Sequence, residues 1–467
     1  MSRANFLLLL LGLASMLGYI AAYALGDLRK NTLGFVVIFF TLFLLYLAAC
    51  ALVLRPTFEV SRFTFSVIVL FSLLPRLLLL PTRPTLSDDM YRYVWDGRVQ
   101  GHGLSPYRYP PDASEVADLR AGDTTVWKYI NRKPFVTIYP PGAQIAFAAM
   151  WRIVGDSVAG FKTIFVLAEW VGALLLIQLL RALNQPPHRI LIYLWSPLLI
   201  FEVAHAGHVD GLMLPLLILA FWARVKERYW LVGAALAMAT LVKFFPLLLL
   251  PALLPLRKTS EIYRNFGSLK PAIKTLAAFG LTMALGYLPY ALSGSALGFL
   301  PNYFNENFNT GLARLLLEFA KAGGLSGSAL ANVLTFGGLV GLSTLFILKP
   351  AAAPAQSLRR CVWLIGWFTL FTQNLFSWYL LWLLPLIVIF VEPGKLSGFK
   401  LAPTTAWLIF SGTITLSYLF FLKWRVNDWA QIAEFAPLYM LLLLSGLKQM
   451  IPVLRCSRVP AAITQKS

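Results

Sequence analysis

The chain has 467 residues, 58% of them hydrophobic and only 13% charged, with a mean hydropathy of +0.71. A soluble domain of this length cannot hide so much apolar surface, which makes the sequence that of an integral membrane protein. A net charge of +20 and a pI of about 10.0 would point to nucleic acid in a soluble protein, but here the basic residues fall mainly in short loops between apolar runs, as the positive-inside bias requires, and no nucleic-acid partner is expected.

The N-terminal stretch MSRANFLLLLLGLASMLGYIAAYALG has the Arg, the apolar run and the small residues of a signal peptide. A second apolar span follows after only a few polar residues, so a retained first helix is predicted. With roughly 20 apolar residues per span, and fewer where a helix lines a cavity, spans are predicted at 5–25, 33–54, 63–80, 159–180, 190–204, 210–223, 274–291, 328–348, 361–373, 378–391, 401–421 and 434–452. Segments 141–154 and 229–256 are ambiguous, giving about 12–14 membrane segments in all. Cys50, Cys361 and Cys456 are scattered and suggest neither a disulfide framework nor a zinc site.

Lys and Arg in short loops set the orientation. A cytoplasmic N-terminus places Arg55 and Arg62, Arg181 and Arg189, RVKER at 224–228, the cluster from Arg257 to Lys274, Lys349 to Arg360, and Arg455 and Arg458 in the cytoplasm, together with the C-terminus. This requires that 141–154 dip into the membrane without crossing it and that 229–256 enter and return; Pro246, after the lone Lys243, suits a pair of short helices. The long loop from 81 to 140 then faces outward, as do EVAHAGHVDG at 202–211, the loop from about 292 to 327, TQNLFSW at 372–378, and Lys423 to Asp428.

Most polar residues of chemical interest fall on that outer side. LSDDMYRYVWDGR, residues 86–98, gathers Asp88, Asp89, Arg92, Asp96 and Arg98 next to a span. Such charges are costly beside hydrocarbon unless hydrated, paired or used. The alternation in MYRYVW suits an amphipathic surface helix with Tyr91, Tyr93 and Trp95 as interfacial aromatics; a polar cap with no further role is the plain alternative. GRVQGHGLSPYRYPP at 97–111 and NRKPFVTIYPPGAQIAF at 131–147, which include Tyr107 and Tyr139, are rich in Pro, Gly and aromatics and predict a structured loop. At the end of another span, His208 and Asp210 are suited to ligating a metal, sharing a proton or orienting a hydroxyl, or they form a solvated turn; no third metal ligand lies nearby in the sequence. Lys243 stands alone in an apolar segment, which implies an anionic partner or snorkelling to the interface. In NYFNENFNTGLARLLLEF at 302–319, Arg314 has the fork geometry that fits a phosphate, though a surface Arg is as good a reading. Gln373, Asn374 and Trp378 sit at a tight turn between two spans.

The carboxylate pair followed by YRYVWDGR, GLSPYRYPP and IYPPG resembles the first extracytoplasmic loop of the GT-C glycosyltransferases, and within them the polyprenol-phosphate-mannose-dependent mannosyltransferases of bacteria and GPI mannosyltransferase I. Tyr91, Arg92 and Asp96 keep that family's spacing. Asp88 stands where its first Asp stands, while the second has moved one place to Asp89. The resemblance covers roughly 86–256; GHVDG and TLVKFFPLLLLP add weaker matches. It implies an all-α, polytopic membrane protein of GT-C type, a single domain over 1–467, with interfacial helices in an outer loop at 81–157. It also implies a sugar donor, with mannose expected, on a polyprenyl phosphate, a lipid-linked or envelope glycan acceptor, membrane lipids as surroundings, and the bacterial inner membrane as location. Asp88 or Asp89 would be the base of an inverting displacement. Lys243, with Arg314 or His208, would stabilise the departing phosphate, and Tyr91, Arg92, Asp96, Tyr107, Tyr139 and Asp210 complete the expected substrate-binding set. No cofactor is firmly implied; a divalent metal, Mg or Mn, is compatible with the residues but not required by them. The competing readings are a secondary transporter or flippase for a lipid-linked sugar, and an inactive glycolipid-binding relative.

Overall fold

The computed structural model describes residues 2–256, 266–291, 298, 308–312, 323, 327–394 and 398–456. These form helices and no strand, apart from two isolated β-bridges. Among them eight helices are long and apolar enough to cross a membrane: α1 (Arg3–Ala24), α2 (Thr32–Val53), α3 (Arg62–Leu79), Val158–Ala182, Gly267–Tyr290, Ala329–Leu348, Pro403–Leu422 and Asp428–Lys448. Leu17, Val37, Leu44 and Leu174 on these helices are exposed, an outward apolar surface that suits lipid.

The other predicted spans are assembled from shorter pieces. The segment predicted at 190–204 breaks at Trp195-Ser196-Pro197, where Ser196 caps the next turn and Pro197 has no amide to give. Ile200–His205 then winds as a π-helix, with the Ala206 amide reaching back to Phe201 O at 2.8 Å. The 378–391 span is a 3₁₀ turn, Ser377–Trp382, followed by the helix Leu384–Phe390.

Both ambiguous segments fold as short helices. Between them and the first three helices lies α4 (Asp89–Gly101). The 14 residues of α5 (Pro141–Val154) rise about 21 Å, short of a hydrocarbon core of about 30 Å. After α6 (Val158–Ala182) and the broken segment come α7 (Asp210–Val225) and α8 (Tyr229–Val242), which run antiparallel, so that Lys243 at the end of α8 meets Asp210 at the start of α7. The chain then turns through Phe245–Leu249 and Leu250–Leu253. It has returned by α9 (Lys270–Tyr287), where Thr275 Oγ1 donates to Tyr229 O at 3.2 Å.

One expectation is corrected. The MYRYVW helix is not a surface helix, because every residue of α4 from Met90 to Val99 is buried in protein. Tyr93 stacks on Phe147 with ring centroids 4.8 Å apart and meets Tyr139 edge-on at 4.9 Å. The cause of this close seat is Gly97. A Cβ there would lie 2.6 Å from Phe147 O and 2.9 Å from Trp151 Cβ, so α4 and α5 touch backbone to backbone.

The rest of the loop is held by charge. Arg98 binds Asp123 at 2.6 Å and Asp156 at 3.0 Å. Burial alone would raise the Asp123 carboxyl, but the amides of Trp127, Thr125 and Val126 and the Arg98 guanidinium outweigh it and hold the group well below the usual carboxylate range. Its contribution is therefore present above the ordinary Asp pKa and is lost as the pH falls toward the depressed one.

Replacing Gly97 by Ala is expected to lower the thermal midpoint of the detergent-solubilised protein, at a cost of about 1–3 kcal/mol for overpacking. Replacing Gly103 by Asn, where a Cβ meets nothing within 4 Å and φ is +78°, is expected to change it little. Equal midpoints for the two variants would refute the close seat of α4.

Candidate active site

Asp88 and Asp89 begin α4, and the path that delivers them is clamped from behind. Lys162 on α6 donates to Leu79 O at 3.1 Å and Thr82 O at 2.7 Å, closing the end of α3. His205, presented by the π-helix, lies 2.9 Å from Thr82 Oγ1 and 3.0 Å from Thr85 Oγ1. The Thr85 amide also donates to its Nε2, so Nε2 is the acceptor and the ring proton sits on Nδ1, aimed at Thr82. With both ring nitrogens engaged, His205 pins residues 82 and 85 and so fixes where residue 88 emerges.

It emerges on the wall of a cavity of about 1050 Å³. Arg29, Asp88, Asp89, Arg92, Asn131 and Lys243 form a polar wall; Phe244, Phe245, Phe368, Phe376, Trp378 and Trp382 are among the residues of an aromatic one. Asp88 receives both arms of Arg29, at 2.9 and 3.1 Å. Asp89 accepts from Asn131 at 2.9 Å. Burial, with the Asp89 carboxylate next in order, pushes the Tyr139 hydroxyl well above its usual range, so it stays protonated at neutral pH.

Arg92 gives Nε to Asp96 at 2.7 Å and one arm to Phe135 O at 3.0 Å, while its other terminal nitrogen, buried at the cavity wall, has no hydrogen-bond partner among the described residues. Asp96 is wholly buried and takes a second bond from Gln144 at 2.9 Å; it meets the cavity only through Arg92. Lys243 breaks the helical path with an extended backbone and lies 2.8 Å from Asp210, whose other oxygen accepts from Trp382 Nε1 at 2.6 Å. Two candidates 33 residues apart are thus one ion pair.

The remaining candidates stand further back. The Tyr91 hydroxyl accepts from Arg83 at 3.1 Å, away from the cavity. Tyr107 donates to Tyr139 O at 2.7 Å and supports the loop. His208 stacks on the cavity-lining Trp378 at 3.9 Å and lies 3.3 Å from Glu202, outside hydrogen-bond geometry. Arg314 lies outside the described residues. No group of three or more His, Cys, Asp or Glu side chains suited to a metal occurs among the described residues.

Sequence reasoning passed over Arg29 and Glu202. Glu202 accepts from Ser377 at 2.6 Å and Tyr418 at 2.8 Å, tying the π-helix to two other segments. The available signal for Arg29 was its side: with the N-terminus inside, Arg29 and Lys30 are basic residues in an outer turn, against the positive-inside trend.

Removing one partner of the Lys243–Asp210 pair leaves a largely buried charge uncompensated. Lys243→Met is expected to destabilise by about 3 kcal/mol, and adding Asp210→Asn is expected to restore much of that stability without restoring activity. Thermal unfolding of the three variants checks this; a double variant no more stable than Lys243→Met would refute the pair's independence from the rest of the wall.

Residues 13–257, more than half of the chain, match the family model described as alpha-(1->6)-mannopyranosyltransferase, N-terminal domain. No curated protein matches the chain. The matched region contains the carboxylate pair, the π-helix, the Lys243–Asp210 pair and the turn bearing Arg29. The chain belongs to the alpha-(1->6)-mannopyranosyltransferase family and is a mannosyltransferase built on membrane-spanning helices.

Proposed function

We propose that the protein transfers mannose from a polyprenyl-phosphate donor to a lipid-linked or envelope glycan acceptor, at the extracytoplasmic face of the inner membrane, with inversion at the anomeric carbon. The observation that carries this reading is the cavity itself, in which two carboxylates, Asp88 and Asp89, and four cations, Arg29, Arg92, Arg132 and Lys243, face a wall of aromatic side chains. An apolar chain suits the aromatic wall, and a phosphate suits the cations. The partnerless nitrogen of Arg92 supports an anionic ligand, since a buried unsatisfied donor is costly to keep.

In this mechanism the acceptor hydroxyl loses its proton to Asp88, with Asp89 in support, while its oxygen bonds to the anomeric carbon. The bond from that carbon to the phosphate oxygen breaks through an oxocarbenium-like state, and polyprenyl phosphate leaves with one more negative charge. Arg92 and Lys243 face that charge. Asp96 and Asp210 keep the two cations in place, and Tyr139 keeps a protonated hydroxyl beside Asp89.

With purified protein in nanodiscs and labelled polyprenyl-phosphate-mannose, Asp88→Asn is expected to lower the transfer rate by about 10²–10⁴-fold. Asp89→Asn is expected to cost less, and the reverse order would exchange the two roles. Full transfer by both variants would remove the proposed base. For orientation, a cysteine placed at the exposed Ala121 in a cysteine-depleted background is expected to react with an impermeant maleimide from outside intact cells; reaction only after the cytoplasmic side is opened would invert the topology.

A further inference from the structure

Arg29 belongs to the turn between α1 and α2, yet its guanidinium reaches the loop that follows α3. The turn is shaped for this. Asp27 accepts the amides of Arg29 and Lys30, the buried Leu28 gives its amide to Thr85 Oγ1 at 3.1 Å, and Thr32 caps Arg29 O at 2.6 Å. Nε is then fixed on Thr85 O at 2.7 Å, and the guanidinium lies 4.9 Å from the centre of the Phe421 ring. The root of the group is anchored. Its fork, by contrast, faces the cavity and holds Asp88 in a pair whose side chains are 23% and 30% exposed. Such a pair is partly screened by solvent and open on one face, which leaves a ligand room to compete for the fork.

We propose that Arg29 is a positioning residue shared between the proposed base, Asp88, and the phosphate of the donor, so that the phosphate competes with Asp88 for the same fork. The proposal rests on the lipid-phosphate reading of the cavity. A guanidinium fork fits a carboxylate and a phosphate equally well by geometry, and charge decides between them. Without donor, Asp88 is the anion that the fork holds among the described residues. A bound phosphate takes a share of it and loosens the carboxylate. During transfer, Asp88 accepts a proton and becomes neutral in the same step in which the departing phosphate gains a negative charge. The carboxylate's hold on Arg29 is lost as the phosphate's hold grows. Arg29 thereby strengthens its contact with the leaving group in the transition state, where stabilisation raises the rate. Lys243 cannot make the same exchange, because Asp210, wholly buried behind it, takes no proton in the transfer and keeps its hold on the ammonium.

The competition has a signature that a purely structural ion pair lacks. The probe is farnesyl phosphate, titrated into the full-length protein in nanodiscs and followed by quenching of intrinsic tryptophan fluorescence, since Trp378, Trp382 and Trp424 line the cavity. Asp88→Asn is expected to tighten binding by about three- to tenfold, by freeing Arg29. Arg29→Ala is expected to weaken it about tenfold, and in the double variant the gain from Asp88→Asn is expected to vanish. Arg29→Lys keeps the charge and gives the same cycle should Arg29→Ala not fold; in that background the gain is expected to shrink, because an ammonium has no fork. Unchanged or weaker binding by Asp88→Asn overturns the proposal while leaving the donor reading intact, as does a gain that persists in full without Arg29. Absence of binding by the wild type overturns both.

Discussion

A charged side chain at the edge of a bilayer must have water, a counter-charge or a ligand, and this requirement shapes the protein from the reactive end inward. Asp88 is met by Arg29, Asp210 by Lys243 and Trp382, and Asp96 by Arg92 and Gln144. Deeper in the bundle the wholly buried Arg76 and Glu169 form a two-armed pair at 2.7 and 2.9 Å, with Ser72 and Leu194 O taking the remaining arm. The pairs are not equivalent. Those sealed in protein join helices, whereas Arg29 and Asp88 keep one face of their pair open to the cavity and are positioned to exchange partners.

The fold converts that constraint into geometry by spending regular helix where it is needed least. Long uninterrupted helices face lipid, where every backbone group must be satisfied internally. Around the cavity the chain turns through a π-helix, 3₁₀ turns and the extended Lys243, with protein on either side to accept the freed groups. Irregular backbone at membrane depth is tolerated in such surroundings, and it aims side chains that a straight helix would direct elsewhere.

Much of this was legible in the sequence. The carboxylate pair, the structured loop after it and the lone Lys243 each stood out as polar features in an apolar chain, and 229–256 was readable as a pair of short helices because of Pro246. The pairing of Lys243 with Asp210 was not, since each looked self-sufficient until the antiparallel packing of α7 and α8 set them side by side. The burial of α4 was hidden because alternating aromatics look alike at a lipid interface and inside a protein core; Gly97, which decides between the two, reads in the sequence as an ordinary loop glycine. Arg76 and Glu169 lay in plain view inside predicted spans, but nothing local ties two residues 93 positions apart.

The π-helix at Ile200–His205 carries a consequence for how the chain can vary over time. It holds one residue more per turn than a regular helix, and on either side of that surplus lie Glu202, bound to Ser377 and Tyr418, and His205, bound to Thr82 and Thr85. Loss of a single residue there would let the turn relax to ordinary α geometry. Glu202 and His205 would then stand two residues apart instead of three, and the two anchors would no longer meet their partners together. Apolar replacements in this stretch leave the register intact, whereas a change of length breaks it. Length, more than composition, is therefore what the two anchors of this turn depend on.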